Sequence, residues 1–329
     1  MECNKFYYAD WCDVSERAFP VAVEDALVAF SGDRLSGAST MLEAAAAAIS
    51  ALSAHSAARD GPAFISELGD LSLALIDAQP MMAPIYNLCA AVLQTAQPSC
   101  QSLSKLKIAA FRAADRYVGE VGPNQEKACL AASKLVLDGG RILTMSSSRA
   151  VLRTLELARK DWKKFGVTVL ESRPMLEGRR AASALAALGI PVELATDASV
   201  AHEVRRAGQI IIGADALTEE VLVNKSGTLA AAIIAKESSV PVIAIADSSK
   251  LLPHQLLPES DRSRDPNEVW EKAPAGVRIS NRYFEKVPLK YIRTVAMEDG
   301  PVSPKDILQM LEPRVGGLVP LAKILRDKK

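Results

Sequence analysis

Aromatic residues are scarce in this chain. Phe, Trp and Tyr supply 5% of its 329 residues, although 49% are hydrophobic. The core must therefore be built from Ala, Leu, Val and Ile. Neither sign of charge is in excess: 39 Lys+Arg face 39 Asp+Glu, for a formal net charge of zero. That balance withholds the electrostatic footprint of nucleic-acid or membrane-surface binding, so neither partner is expected. The five cysteines, Cys3, Cys12, Cys89, Cys100 and Cys129, are scattered and form no CxxC pair. An odd, unclustered set argues against a disulfide framework and against a zinc site. No apolar run reaches the ~20 residues of a membrane helix. The opening MECNKFYYADWCD is polar and acidic, unlike a signal peptide. These absences lead to the expectation of a reduced, cytoplasmic protein. No GxGxxG follows an expected strand, which disfavours a nucleotide-dependent oxidoreductase.

What is present changes character near Gly122-Pro123. Before it, Val21–Phe30, Gly37–Ala57, Pro62–Ala78, Pro84–Ala96 and Ser102–Val118 are Ala/Leu-rich with helical spacing, separated by breakers such as Asp60-Gly61-Pro62 and Gln97-Pro98. After it, a helix over Asn124–Leu137 ends at Asp138-Gly139-Gly140, and short β-branched runs then alternate with helical segments. The expected strands are Arg141–Thr144, Val167–Leu170, Pro191–Ala195, Gln209–Gly213, Val240–Ala246 and Tyr291–Ala296. Pro253–Arg264 reads as a loop. Such alternation implies parallel βαβ units with right-handed crossovers. The expected fold class is α/β: a helical domain over residues 1–121, then a Rossmann-like parallel-sheet domain over 122–329.

Ligands of open parallel sheets sit beyond the carboxyl ends of the strands, so the residues after each strand nominate the site. These are Met145-Ser146-Ser147-Ser148-Arg149, Glu171-Ser172-Arg173-Pro174, Thr196-Asp197, Gly213-Ala214-Asp215 and Asp247-Ser248-Ser249-Lys250. Asn224-Lys225-Ser226-Gly227-Thr228 reads as a turn opening a helix, with its lysine placed for an anion. Each element has a plainer reading. The serines and Asp197 serve as helix N-caps, and Arg173 serves as a surface ion-pair residue. Asp215 resists that treatment, because an acid directly after a run of three isoleucines is costly unless used or paired. His55, His202 and His254 are isolated and nominate nothing.

With these residues in place, the chain resembles the translation initiation factor 2B alpha/beta/delta family and its related sugar-1-phosphate isomerases. That group includes ribose-1,5-bisphosphate and methylthioribose-1-phosphate isomerases. The stretches that carry the resemblance are ILTMSSSRAVLRTLE (142–156), VTVLESRPMLEGRRAASAL (167–185), GIPVELATDASVAH (189–202) and IIGADALTEEVLVNKSGTLAAAIIAKESSVPVIAIADSSK (211–250), with RDPNEVW (264–270) and VRISNRYFEKVP (277–288) beyond them. DRLSGAST (33–40) and AQPMMAPIYN (78–87) are weaker counterparts in the helical half.

The resemblance implies interconversion of a phosphorylated aldose and ketose, ribose-1,5-bisphosphate-like, without metal or nucleotide cofactor, in a homodimer formed through the C-terminal half. It implies an acid at Asp215 and an acid/base partner at Ser146, where the isomerases carry cysteine. A thiol titrates near 8.5 and can shuttle a proton at neutral pH, whereas a serine hydroxyl needs an adjacent base. The resemblance assigns ligand contacts to Ser148, Arg149, Arg173, Asn224, Lys225 and Lys250. Gly37 falls in a ligand-closing Arg-Gly-Ala loop whose arginine is replaced here, with Arg34 close by as a substitute. The competing expectation is a non-catalytic regulatory subunit of an initiation-factor complex that senses a sugar or nucleotide phosphate.

Overall fold

The computed structural model describes residues 19–95 and 102–327. Cys3, Cys12, Cys100, the opening acidic segment and the Gln97-Pro98 breaker lie outside them. The helical half comprises α1 (Val21–Gly32), α2 (Ala38–His55), α3 (Gly61–Ala78), α4 (Ala83–Thr95) and α5 (Leu103–Leu135). At the start of α3 the Asp60 carboxylate accepts from the Ala63 N–H at 2.9 Å, with Pro62 in the first turn where its missing N–H costs nothing. The small residues of α2 allow close approach to its neighbours, and Met41, Leu42, Ile49 and Leu52 join Phe30 and Phe64 in the core.

α5 corrects the sequence reading. The two helices expected on either side of Gly122-Pro123 are one helix of 33 residues with Pro123 inside it. An internal proline costs roughly 3 kcal/mol through a lost hydrogen bond and a clash with the carbonyl four residues back. Burial at both ends offsets that cost: Leu106, Ala110, Ala113 and Ala114 enter the helical core, and Ala128 and Ala132 enter the core beside the sheet.

The second half alternates as expected: β1 (Gly140–Met145), α6 (Arg149–Lys160), β2 (Phe165–Leu170), α7 (Glu177–Ala187), β3 (Val192–Ala195), α8 (Val200–Arg206) and β4 (Gln209–Ile212). Then follow β5 (Ala216–Leu217), β6 (Val221–Lys225), α9 (Thr228–Glu237), β7 (Val242–Ile245), β8 (Phe284–Pro288), β9 (Thr294–Met297), β10 (Gly300–Val302) and α10 (Ile307–Asp327). The main sheet has the order β10-β9-β7-β4-β1-β2-β3, parallel except for β10. The chain builds outward from β1 to β3 and then restarts at β4 on the other side of β1. The crevice between the ends of β1 and β4 is therefore the switch point where such sheets bind ligands. An antiparallel sheet, β5-β6-β8, sits apart from the main one, and the sequence analysis did not foresee it. α10, also unforeseen, returns to the helical half, where Leu318 and Leu321 join its core.

One glycine fixes the packing of α7 on the sheet. A Cβ at Gly178 would lie 2.1 Å from the Leu170 carbonyl oxygen and 2.9 Å from the Glu171 Cα, both backbone atoms that cannot step aside. Gly178→Ala is expected to cost about 1–3 kcal/mol or more in a urea unfolding titration, as overpacked cores do. Wild-type stability in that variant would contradict this packing. Among the described residues, no helix is long and apolar enough to cross a membrane.

Candidate active site

A cleft of roughly 920 Å³, including its open mouth, occupies the switch point. Its floor comes from the ends of β1, β4, β6 and β7, and its rim from the segment joining α1 to α2. Ser146, directly after β1, has φ 60°, a left-handed conformation that costs a non-glycine residue of order 1–3 kcal/mol. Ser172, after the neighbouring β2, has φ 62°. The two are tied together: the Ser146 N–H donates to Ser172 Oγ at 2.7 Å. The Asp197 carboxylate holds the second turn by accepting from the N–H groups of Ser172 and Arg173 at 2.8 and 2.7 Å. Two left-handed serines are thus held by hydrogen bonds at neighbouring strand ends, Ser146 on the cleft itself.

Ser148 caps α6 by accepting from the Val151 N–H, as the plainer reading expected, and it also lines the cleft. Gly213 allows β4 to approach that cap, since a Cβ there would stand 2.5 Å from Ser148 Oγ. Asp215 follows. Its N–H donates to the Val223 carbonyl at 2.9 Å, and its own carbonyl accepts from the Ala83 N–H at 3.0 Å. The residue is thus locked between β6 and the start of α4. Burial pushes its carboxyl up to about 6, against the opposing pull of Lys250 and Lys225, and Asp261 adds to the rise. A carboxyl poised there populates both protonation states near neutral pH.

Lys225 ends β6 instead of sitting in the expected turn, which falls at Ser226-Gly227. Its ammonium donates to Glu177 Oε1 at 2.6 Å, both side chains being buried, and lies 4.6 Å from the centre of the Tyr283 ring. Glu177 Oε2 is buried without a hydrogen-bond partner. Asn224 donates through Nδ2 to Thr228 Oγ1 at 3.0 Å and fixes the entry to α9. Lys250, buried after β7, makes no ion pair within 4 Å among the described residues.

At the rim, Arg34 pairs with Glu268 at 2.6 Å and Asp265 at 3.6 Å, Gly37 caps α2, and Arg149 faces Glu43 at 3.8 Å. Of the residues that the resemblance assigned to catalysis or ligand contact, all line this cleft except Arg173, whose exposed guanidinium donates to the Val269 carbonyl at 2.9 Å. Of the other strand-end residues, Glu171, Ser172, Thr196, Asp197, Ser248 and Ser249 do not line it either. The sequence analysis missed Glu177 and Arg180, both of which line the cleft from the first turn of α7. Their signal was the glycine-anchored helix start four residues beyond Arg173-Pro174, outside the window taken after each strand. No thiol among the described residues stands in the cleft. Cys89 and Cys129 are buried in the helices, which pushes them up to about 12 and about 11.

Residues 34–304 match the profile of the Initiation factor 2 subunit family. The chain belongs to that family. It is 28% identical over 258 residues to the ribose 1,5-bisphosphate isomerase of Archaeoglobus fulgidus, covering 77% of this chain and 82% of that protein. Among solved structures, it superposes on the Pyrococcus horikoshii translation initiation factor eIF-2B with a TM-score of 0.76 at 28% identity, covering 88% of this chain and 99% of that one. The 5-methylthioribose 1-phosphate isomerase of the same organism shares the fold, with a TM-score of 0.66 at 22% identity over 88% of this chain and 86% of its own.

Proposed function

We propose that the cleft binds a phosphorylated pentose and interconverts its aldose and ketose forms, with ribose 1,5-bisphosphate as the type of substrate. The observation that carries this reading is Asp215, a carboxyl held near pKa 6 beside two buried lysines at the switch point. The kinship with proteins named ribose 1,5-bisphosphate isomerase supports it. For a cyclic pentose 1-phosphate, the reaction moves the C2 hydrogen to C1 and the O2 hydrogen to the ring oxygen, with no net oxidation. Asp215 is suited to give a proton to the ring oxygen and to recover one from O2. The Ser146 hydroxyl donates a hydrogen bond to a substrate oxygen, and Lys250 with Arg34, Arg149 and Arg180 supplies positive charge for phosphate. On this reading the chain works as a homodimer without a bound cofactor.

A second reading, a sugar-phosphate sensor without turnover, is favoured by the hydroxyl at Ser146 where a thiol would provide a better proton carrier. Pentose 1-phosphates, 5-phosphates and 1,5-bisphosphates, screened by thermal shift and then by product analysis, separate the two readings. The isomerase reading predicts turnover by the wild-type chain, and Ser146→Cys is expected to raise it about tenfold or more. Binding with no product in the wild type decides for the sensor.

A further inference from the structure

We infer that the main sheet carries a second anion site at the end opposite the cleft, built for a compact ligand with two or more phosphate groups. This site goes beyond the isomerase reading and does not depend on it. A groove of roughly 1610 Å³, including its open mouth, lies at the amino ends of β7 and β9. Val242, the first residue of β7, lines the groove, whereas Ile245 at the other end of that strand lines the cleft.

Four cations meet at the groove from three separate segments. Lys236 comes from the last turn of α9, Lys290 and Arg293 from the segment joining β8 to β9, and Lys305 from the segment joining β10 to α10. None of the four makes an ion pair within 4 Å among the described residues. One carboxylate shares the lining, Glu219, and its Oε2 already accepts from the His254 N–H at 3.1 Å. The chain as a whole has 39 Lys+Arg against 39 Asp+Glu, so this excess is local.

The backbone that presents Lys290 and Arg293 is pinned. The Leu289 N–H donates to the Glu220 carbonyl at 3.0 Å, the Arg293 N–H donates to the Val242 carbonyl at 2.8 Å, and Leu289 and Ile292 are buried in the core beneath. The centre of the Tyr291 ring gathers two of the ammonium groups, at 5.5 Å from Lys236 Nζ and 5.1 Å from Lys290 Nζ. A cation over an exposed ring gains only about 0.5–1 kcal/mol, while like charges held together repel. A plainer reading covers Lys236, whose charge complements the carboxyl end of α9. It does not reach the other three. An anion bound among all four offsets their repulsion.

The spread of the charge sets the class of ligand. A single phosphate meets one or two of these cations, whereas two or three linked phosphates offer acidic oxygens to ammonium and guanidinium groups on several sides of the groove. A nucleic acid or a membrane would extend past the groove onto a surface with no net positive charge to hold it.

Calorimetry of the full-length protein with inorganic triphosphate, pyrophosphate and orthophosphate tests the site. Triphosphate is expected to bind about tenfold more tightly than pyrophosphate, and more weakly as salt rises. Lys290→Gln/Arg293→Gln replaces two exposed side chains outside the core and the cleft, and is expected to weaken triphosphate binding about tenfold or more. Arg149→Gln/Arg180→Gln, at the rim of the cleft, is expected to change it less than about twofold. The reverse pattern puts the anion in the cleft and overturns the second site, and equal losses in both variants, or none in either, overturn it too. So does a wild type that binds no triphosphate. Hexaglutamate bound more tightly than triphosphate would give the groove to an acidic peptide and overturn the phosphate class. A wild type that binds or converts no sugar phosphate counts against the function proposed above, and leaves this site to the triphosphate result.

Discussion

Replacing Asp215 with asparagine is expected to lower turnover of the phosphorylated pentose by about 10²–10⁴-fold, the usual contribution of a positioned acid or base, while ligand affinity changes little. The same variant should be more stable than the wild type at neutral pH. Burial raises the Asp215 carboxyl from 3.8 to about 6, with Lys250 and then Lys225 opposing and Asp261 adding to the shift. In the unfolded chain the group ionises at its ordinary value, so between about pH 4 and 6 the folded protein holds more protons and stability falls as pH rises. Below that window the group is protonated in both states and carries no penalty. Above it, the full penalty of about 3 kcal/mol applies. Asparagine imitates the protonated form, so its melting temperature should exceed that of the wild type at pH 7.5, with the gap closing toward pH 4. Loss of turnover accompanied by gain of stability is the pattern of a group kept for chemistry at the expense of folding. A variant equally active, or less stable at pH 7.5, would count against this role.

Lys225→Met is the second large effect. It leaves the Glu177 carboxylate buried, and breaking a buried pair from one side costs about 3–5 kcal/mol. The double variant Glu177→Gln/Lys225→Met should recover most of that loss, because no uncompensated charge remains inside the protein. Urea titrations of the wild type, both single variants and the double variant measure the coupling. Simple additivity would mean that the two side chains do not depend on each other.

Much of this architecture is legible in the chain because its parallel strands are short, β-branched and flanked by helices of ordinary length. The strand-end rule reached Ser146, Ser148, Asp215 and Lys250 for the same reason: each stands within five residues of a strand that can be recognised. What stayed hidden has local causes. β5 is two residues long, and β6 ends in Asn224-Lys225, polar residues whose place in a strand depends on pairing with β8, about 60 residues away. α10 carries Pro313 and Pro320, and α5 carries Pro123, so local rules break helices that tertiary burial keeps whole. Arg173 was nominated for its position after β2, but side-chain direction decides its role, and its guanidinium turns to the Val269 carbonyl. Glu177 and Arg180 escaped because they reach the cleft from the first turn of a helix that starts seven residues beyond the strand end.

The most direct test of the central claim is phosphorus NMR of ribose 1,5-bisphosphate incubated with the purified protein. The account predicts conversion to ribulose 1,5-bisphosphate by the wild-type chain, suppressed in Asp215→Asn while that variant still binds the ligand. Unchanged ribose 1,5-bisphosphate in a sample whose ligand is shown to be bound would contradict it.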